Sequence, residues 1–167
     1  ISKIKIIKQD VIYKLIEDLI EFKKKNKEKT EKEKLMSLAS LCKLKILHQY
    51  VFHNSKPAIF GVAVEAGKLK ENTNLIDEQG DEIGKVKRMQ KDKETIEQAT
   101  QEQEVAISVP GITFDRQLSD KNYLYSDLSE YQFREFKKNK ELLTTDEIQT
   151  MQKIAQIKRA VKPTWGV

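Results

Sequence analysis

The stretch Lys56-Pro-Ala-Ile-Phe-Gly-Val-Ala-Val-Glu-Ala-Gly-Lys-Leu-Lys70, followed by Gly84-Lys-Val-Lys-Arg-Met-Gln90, constrains the fold of this chain more than any other. Val62, Val64 and Ala66 alternate with their neighbours, the period of a strand with one buried face. Gly67 breaks that strand, a second short run occupies Leu69 to Ile76, and a third opens at Gly84, Val86 and Met89 after the turn Gln79-Gly80-Asp81. Upstream, Leu44, Ile46, His48, Tyr50 and Phe52 alternate against Lys43, Lys45, Leu47 and Gln49 before Asn54-Ser55-Lys56-Pro57 turns the chain. Strands are predicted over 58–66, 73–77, 83–90, 94–98 and 104–109, with a closing strand from Tyr123 to Asp127. Short strands cornered by glycine predict a small closed barrel.

Helices flank this region. Val11, Ile12, Leu15, Ile16, Leu19 and Ile20 recur at helical spacing behind a candidate N-cap at Asp10. Past Phe22 the apolar stripe ends and charge takes over, with Lys24–Glu28, Glu28–Lys32, Lys27–Glu31 and Lys29–Glu33 at i,i+4. Such pairs are worth roughly 0.2–0.5 kcal/mol each. No glycine or proline interrupts the run, so one long helix from Asp10 to Leu35 is predicted, its first half docked and its second half an exposed spacer. At the other end, Ser129 heads Tyr131, Phe133 and Phe136. Thr144-Thr-Asp-Glu147 is a capping box introducing Ile148, Met151, Ile154, Ala155 and Val161, and Pro163 stops that helix.

With 167 residues, the chain is long enough for one sizeable core or a core plus an appendage. Charged residues make up 34% and the formal net charge is +5, a basic bias compatible with nucleic acid without defining it. Hydrophobic residues reach 38% with no run near 18, which excludes a transmembrane helix and sets the expectation of no membrane partner. A single cysteine, Cys42, excludes an intramolecular disulfide and fits a reducing cytosol, so a cytoplasmic protein is expected. The chain opens at Ile1 without methionine, inside the strand-like run Ile4, Ile6 and Ile7, and reads as a piece of a longer protein.

Chemistry is sparse. No Gly-x-x-x-x-Gly-Lys-Ser/Thr loop is present, so the phosphate cradle of P-loop proteins is excluded. Cys42, His48 and His53 could be imagined as metal ligands, but they read as ordinary strand and turn residues, and no metal site is expected. Nor does any serine sit in a nucleophile elbow, and no catalytic residue is assigned. The acidic groups Asp77, Glu78, Asp81 and Glu82, and Glu97, Glu102 and Glu104, read as solvated turns and edges. The basic residues say more. Lys85, Lys87, Arg88, Lys91 and Lys93 fall on one strand and its following loop, where an outward face could follow a phosphate backbone. A second stripe, Lys137, Lys138, Lys140, Lys153, Lys158, Arg159 and Lys162, lies on the closing helices. Between those helices, an apolar slot of Phe133, Phe136, Ile148, Met151 and Ala155 beside Lys137 could take a partner peptide, although helix-on-barrel core is the plainer reading.

Five blocks in order then point to a family: Asp10-Val-Ile-Tyr-Lys-Leu-Ile-Glu-Asp18, Ser55-Lys-Pro-Ala-Ile-Phe-Gly-Val62, Gly84-Lys-Val-Lys-Arg-Met-Gln90, Gln103-Glu-Val-Ala106, and Ile154-Ala-Gln-Ile-Lys-Arg159 with the ending Pro163-x-Trp165-Gly166. Nearly the whole chain resembles the C-terminal region of archaeal and eukaryotic translation initiation factor five B, the relative of bacterial initiation factor two. The resemblance implies an α+β, mainly β architecture. Residues 1–8 would be the last strand of a preceding domain, 9–36 a connecting helix, 37–127 a translational-GTPase-type β-barrel and 128–167 a helical pair with tail. It implies translation initiation as the process, with methionyl initiator tRNA and the ribosomal subunits as partners and a monomeric chain. In eukaryotic relatives the closing helices receive the tail of initiation factor one A. GTP and Mg²⁺ belong to the full-length factor, a GTPase, and no cofactor or enzymatic activity is implied for this part. Carried over by position, Gln90, Lys91, Asp92 and Lys93 with Gln103, Glu104 and Val105 are the implied contacts to the aminoacylated end. The two lysines would meet phosphate, while Gln103 and Val105 would border the methionyl ester. Four positions depart from the family pattern: Glu102 stands where glycine is usual, Asn72 where glycine is common, and Lys121-Asn122 where Gly-Asp is frequent.

Overall fold

The computed structural model describes residues 12–167, so the strand expected over 1–8 and the cap expected at Asp10 lie outside the described residues. Helix α1 spans Ile12–Leu38, 27 residues without glycine or proline. Its attachment is the reverse of the sequence expectation. Ile12, Tyr13, Ile16, Leu19 and Ile20 are exposed, whereas Leu35 and Met36 near the other end are buried. The reason is position: the barrel and closing helices meet only the last turns of α1. There, Lys32 reaches Glu147 at 3.3 Å and Lys70 donates to the Met36 carbonyl at 3.0 Å. Along the exposed part, Glu21–Lys25 and Lys27–Glu31 close as ion pairs.

Nine antiparallel strands follow: β1 Cys42–His53, β2 Ala58–Lys70, β3 Asn74–Ile76, β4 Glu82–Lys85, β5 Arg88–Lys91, β6 Glu94–Ile96, β7 Gln98–Thr100, β8 Glu104–Val109 and β9 Tyr123–Ser126. They pair in the order β4-β3-β9-β1-β2-β8-β5-β6, with β7 on the far end of β2. β4 and β5 are two halves of one segment. At Val86 the backbone still bonds Thr73 and Asn72, and at Lys87 it bonds Ser108. The segment predicted as one strand over 83–90 therefore changes partner midway, from β3 to β8, and joins the two ends of the curled sheet. Inside pack Leu44, Ile46, Phe60, Val62, Val64, Leu75, Met89, Ile107 and Leu124, the alternate positions of their strands.

Gly67 bends β2 without ending it. At φ 71°, it turns Lys68–Lys70 away from β1 to pair with Gln98–Thr100. A Cβ here would lie 1.7 Å from the Leu41 carbonyl oxygen. Between β8 and β9 a short helix, α2 Phe114–Gln117, which the sequence pattern did not announce, buries Phe114 against Phe60.

Two helices close the structure, α3 Glu130–Lys138 and α4 Thr145–Val161, joined through a 3-10 turn at Lys140–Leu142. Both start on reciprocal capping boxes, Ser129 with Gln132 and Thr144 with Glu147. These boxes satisfy N–H groups that the first helical turn leaves without partners. A second apolar cluster, including Leu35, Leu41, Ile76, Tyr125, Phe133, Phe136, Met151, Ile154 and Trp165, glues helices to barrel. Trp165 stacks on Phe133 at 4.9 Å between ring centres, and its carbonyl accepts from Arg159 at 2.9 Å, fixing the tail across α3 and α4.

Candidate nucleic-acid interface

A groove of about 500 Å³ runs across the outer face of β2, β8 and β5, lined by Leu47, Tyr50, Phe52, Ile59, Gly61, Gln90, Lys91, Asp92, Lys93, Glu104, Val105 and Ala106. Strand register explains it. Gly61 pairs with Ala106 and Ala106 with Gln90, so the two smallest side chains sit in adjacent strands and leave a trough. One wall is the end of β1. The β1–β2 register jumps from Leu47↔Gly61 to Val51↔Phe60, and this bulge carries Tyr50 and Phe52 out to the rim. The opposite lip is the β5–β6 hairpin. Lys91 pairs with Glu94 across a two-residue turn in which Asp92 and Lys93 have φ 51° and 68°. Positive φ at both positions is the type I′ geometry that matches strand twist, and it presents the two lysines on a tight turn.

Of the residues singled out from the sequence, Gln90, Lys91, Asp92, Lys93, Glu104 and Val105 come together around this groove. Lys85, Lys87 and Arg88 lie on the exposed face of the partner-changing segment. Gln103 is turned elsewhere: its Oε1 accepts the Thr100 N–H at 2.9 Å, which makes it a brace for the β7–β8 turn. Val105 is almost fully buried in the barrel core on the same face of β8 as Ile107, so the outer floor beside it is formed by Ile59, Gly61 and Ala106. None of Lys85, Lys87, Arg88, Lys91 and Lys93 forms an ion pair among the described residues. Their charge is available to a ligand, tempered by Asp92 and Glu104 in the same groove. Leu47, Tyr50, Phe52, Ile59 and Gly61 were not singled out, because the period-two pattern gave no sign of the bulge.

Glu102 occupies the left-handed region at φ 71°, and so does Asn72 at φ 64°. Glycine is at home in that geometry, and an ordinary side chain pays roughly 1–2 kcal/mol to enter it. Glu102→Gly should therefore stabilise the chain by about 0.5–1 kcal/mol, after allowing for the looser unfolded state. A raised urea midpoint at constant slope is the expected reading. A lowered midpoint would mean that the Glu102 side chain contributes more than its backbone costs.

The closing helices look different from the slot imagined for them. Phe133, Phe136, Met151 and Ala155 are buried in the second cluster, and Ile148 is partly buried against it. Only Lys137 of that set is freely exposed. The apolar slot is thus already filled by the chain's own barrel and tail. Three of the seven cations in their basic stripe are ion-paired: Lys158 with Asp127, Lys162 with Glu130, and Lys138 with Glu135.

Two other clefts, of about 600 and 620 Å³, flank α4 and the end of α1. Lys43–Glu65 and Lys158–Asp127 close as ion pairs in these clefts, and Gln101 donates to the Asp146 carboxylate. Burial pushes the Cys42 thiol up to about 12, while His48 and His53 each bond a backbone carbonyl, of Lys121 and Pro57 respectively. These three residues are held by separate structural contacts.

By fold and site, the chain is a helix-borne antiparallel barrel whose groove is apolar in its floor and cationic on one lip. Residues 41–125 match the family described as elongation factor Tu domain 4. A relative from Metallosphaera sedula, named "Probable translation initiation factor IF-2", is 38% identical over 99% of this chain and 28% of its own length. The corresponding protein of Methanopyrus kandleri is 40% identical over 84% of this chain and 24% of its own. The crystal structure of GDP-bound aIF5B from Aeropyrum pernix superposes with a TM-score of 0.80 at 33% identity, covering 95% of this chain and 27% of that one. The chain belongs to the elongation factor Tu domain 4 family, and it spans about a quarter of the length of these relatives.

Proposed function

We propose that this chain is the tRNA-engaging C-terminal arm of a ribosome-dependent, GTP-binding translation initiation factor, and that its groove receives the aminoacylated acceptor end of methionyl initiator tRNA. The observation that carries the reading is the groove itself: an apolar trough with Lys91 and Lys93 on its lip and Lys85, Lys87 and Arg88 further along the segment, none of them ion-paired among the described residues. Lys91 and Lys93 meet the phosphates of the terminal nucleotides. The apolar floor at Ile59 and Ala106 accepts the uncharged methionyl group, a side chain without formal charge or strong hydrogen bonding. The role is positional. α1 sets the distance between the barrel and whatever precedes it, and the ribosome joins its subunits around a tRNA whose end is held. GTP and Mg²⁺ act in another part of the factor.

Titration of the chain with methionylated and with deacylated initiator tRNA, at low and at moderate salt, tests this. Tighter binding of the charged form that persists at moderate salt is the expected result. Equal binding of both forms that vanishes with salt would reduce the interaction to phosphate attraction and overturn the aminoacyl reading.

A further inference from the structure

We infer that Tyr50 and Phe52 form a stacking shelf for the unpaired nucleotides at the 3′ end of an RNA, an assignment that rests on the acceptor-end reading above and adds to it two residues with a defined task. Both rings stand on the groove rim although they are 48% and 64% exposed. Large aromatic side chains left this open beside an apolar floor lose burial energy unless a ligand covers them. Their placement is built into the backbone. The β1 register shifts twice here, between Leu47 and Val51 and between Val51 and His53, and both side chains come to line the groove. Gly61 makes room for the first of them, since a Cβ there would stand 3.0 Å from the Tyr50 Cβ.

The charge of the site selects the occupant. Across the groove are Lys91 and Lys93, with Lys85, Lys87 and Arg88 further along the same segment, all without ion-pair partners among the described residues. A polyanion with exposed flat faces satisfies both walls at once: phosphates at the cationic lip, bases on the aromatic one. Single-stranded RNA has that chemistry, and stacking accepts every base because each offers a π-face. Paired RNA hides its bases and would leave the shelf uncovered.

The test compares intact initiator tRNA with the same tRNA trimmed of its unpaired 3′ nucleotides, against the full chain and its Tyr50→Ala, Phe52→Ala and Phe52→Leu variants. Each alanine variant should bind intact tRNA about tenfold more weakly and trimmed tRNA unchanged. Phe52→Leu keeps apolar area and should still lose most of the affinity. Phe52→Trp should retain binding, and its fluorescence should be quenched by a short single-stranded RNA ending in the same nucleotides, above the constant signal of the buried Trp165. Unchanged binding in the alanine variants overturns the shelf while leaving the aminoacyl preference standing. Loss of affinity in those variants, without any preference for the charged tRNA, retains the shelf and overturns the aminoacyl reading. Absence of binding to either tRNA and of quenching overturns both.

Discussion

Replacing Gly67 with alanine is expected to destabilise the chain by about 3–5 kcal/mol, enough to lower its melting midpoint by roughly 10 °C. Two effects add. The residue sits at φ 71°, and the new methyl group would be placed 1.7 Å from the Leu41 carbonyl oxygen. That oxygen is held, since it accepts the Lys68 N–H at 3.1 Å. Neither side of the clash is a flexible side chain, so β1 and β2 must separate and the pairing of β2 with β7 must shift with them. Gly111→Ala supplies the control. It also has positive φ, 82°, but nothing lies within 4 Å of its added Cβ, so only the backbone cost of about 1 kcal/mol should appear. Thermal or urea unfolding of both variants isolates the clash as their difference. Equal losses would show that Gly67 is required for its dihedral alone.

The double replacement Lys91→Gln with Lys93→Gln is expected to weaken tRNA binding by roughly 25- to 60-fold at 0.1 M salt while leaving stability unchanged. Each phosphate contact releases about 0.7 counterion from a single strand and about 0.9 from a duplex, or some five- to eightfold in affinity at that salt. The slope of log affinity against log salt should fall by about 1.4–1.8. Stability should not respond, because neither lysine forms an ion pair among the described residues. Charge reversal to glutamate adds repulsion and a larger loss. If neutralisation changes affinity less than twofold, phosphate contact at this hairpin is refuted. An unchanged salt slope with weaker binding would assign the lysines to something other than phosphate.

Much of the barrel was legible because strands with one buried face alternate, and because glycine marks their corners. The capping box at Thr144 and Glu147 was legible for the same local reason, although its second service, holding Lys32 of α1, depends on a contact 115 residues away. Features created by closure were not legible. Nothing in Val86-Lys87 announces that one strand will change partner, since the change is forced by joining the sheet's ends. The rim aromatics were concealed by a regular-looking pattern: only in the fold do the consecutive Ile46 and Leu47 both prove buried, so that alternation fails before Tyr50. Gln103 precedes the groove residues Glu104, Val105 and Ala106 in sequence, yet its side chain is engaged by the Thr100 N–H. α1 was read as docked by its most apolar half. Apolarity marks a face that can be covered, and only the fold decides which part of the chain is there to cover it.

The way α1 is rooted has a mechanical consequence. With 27 residues at about 1.5 Å each, the helix is an arm of roughly 40 Å, clamped at one end by Leu35, Met36, Lys32–Glu147 and the Lys70 bond to the Met36 carbonyl. An arm of that proportion multiplies angle into travel. A tilt of about 5° at the clamp displaces the far end by roughly 3.5 Å, about one strand residue, while contacts at the root slide by a few tenths of an ångström. The same gearing converts a coarse displacement at the far end into a fine adjustment of the barrel.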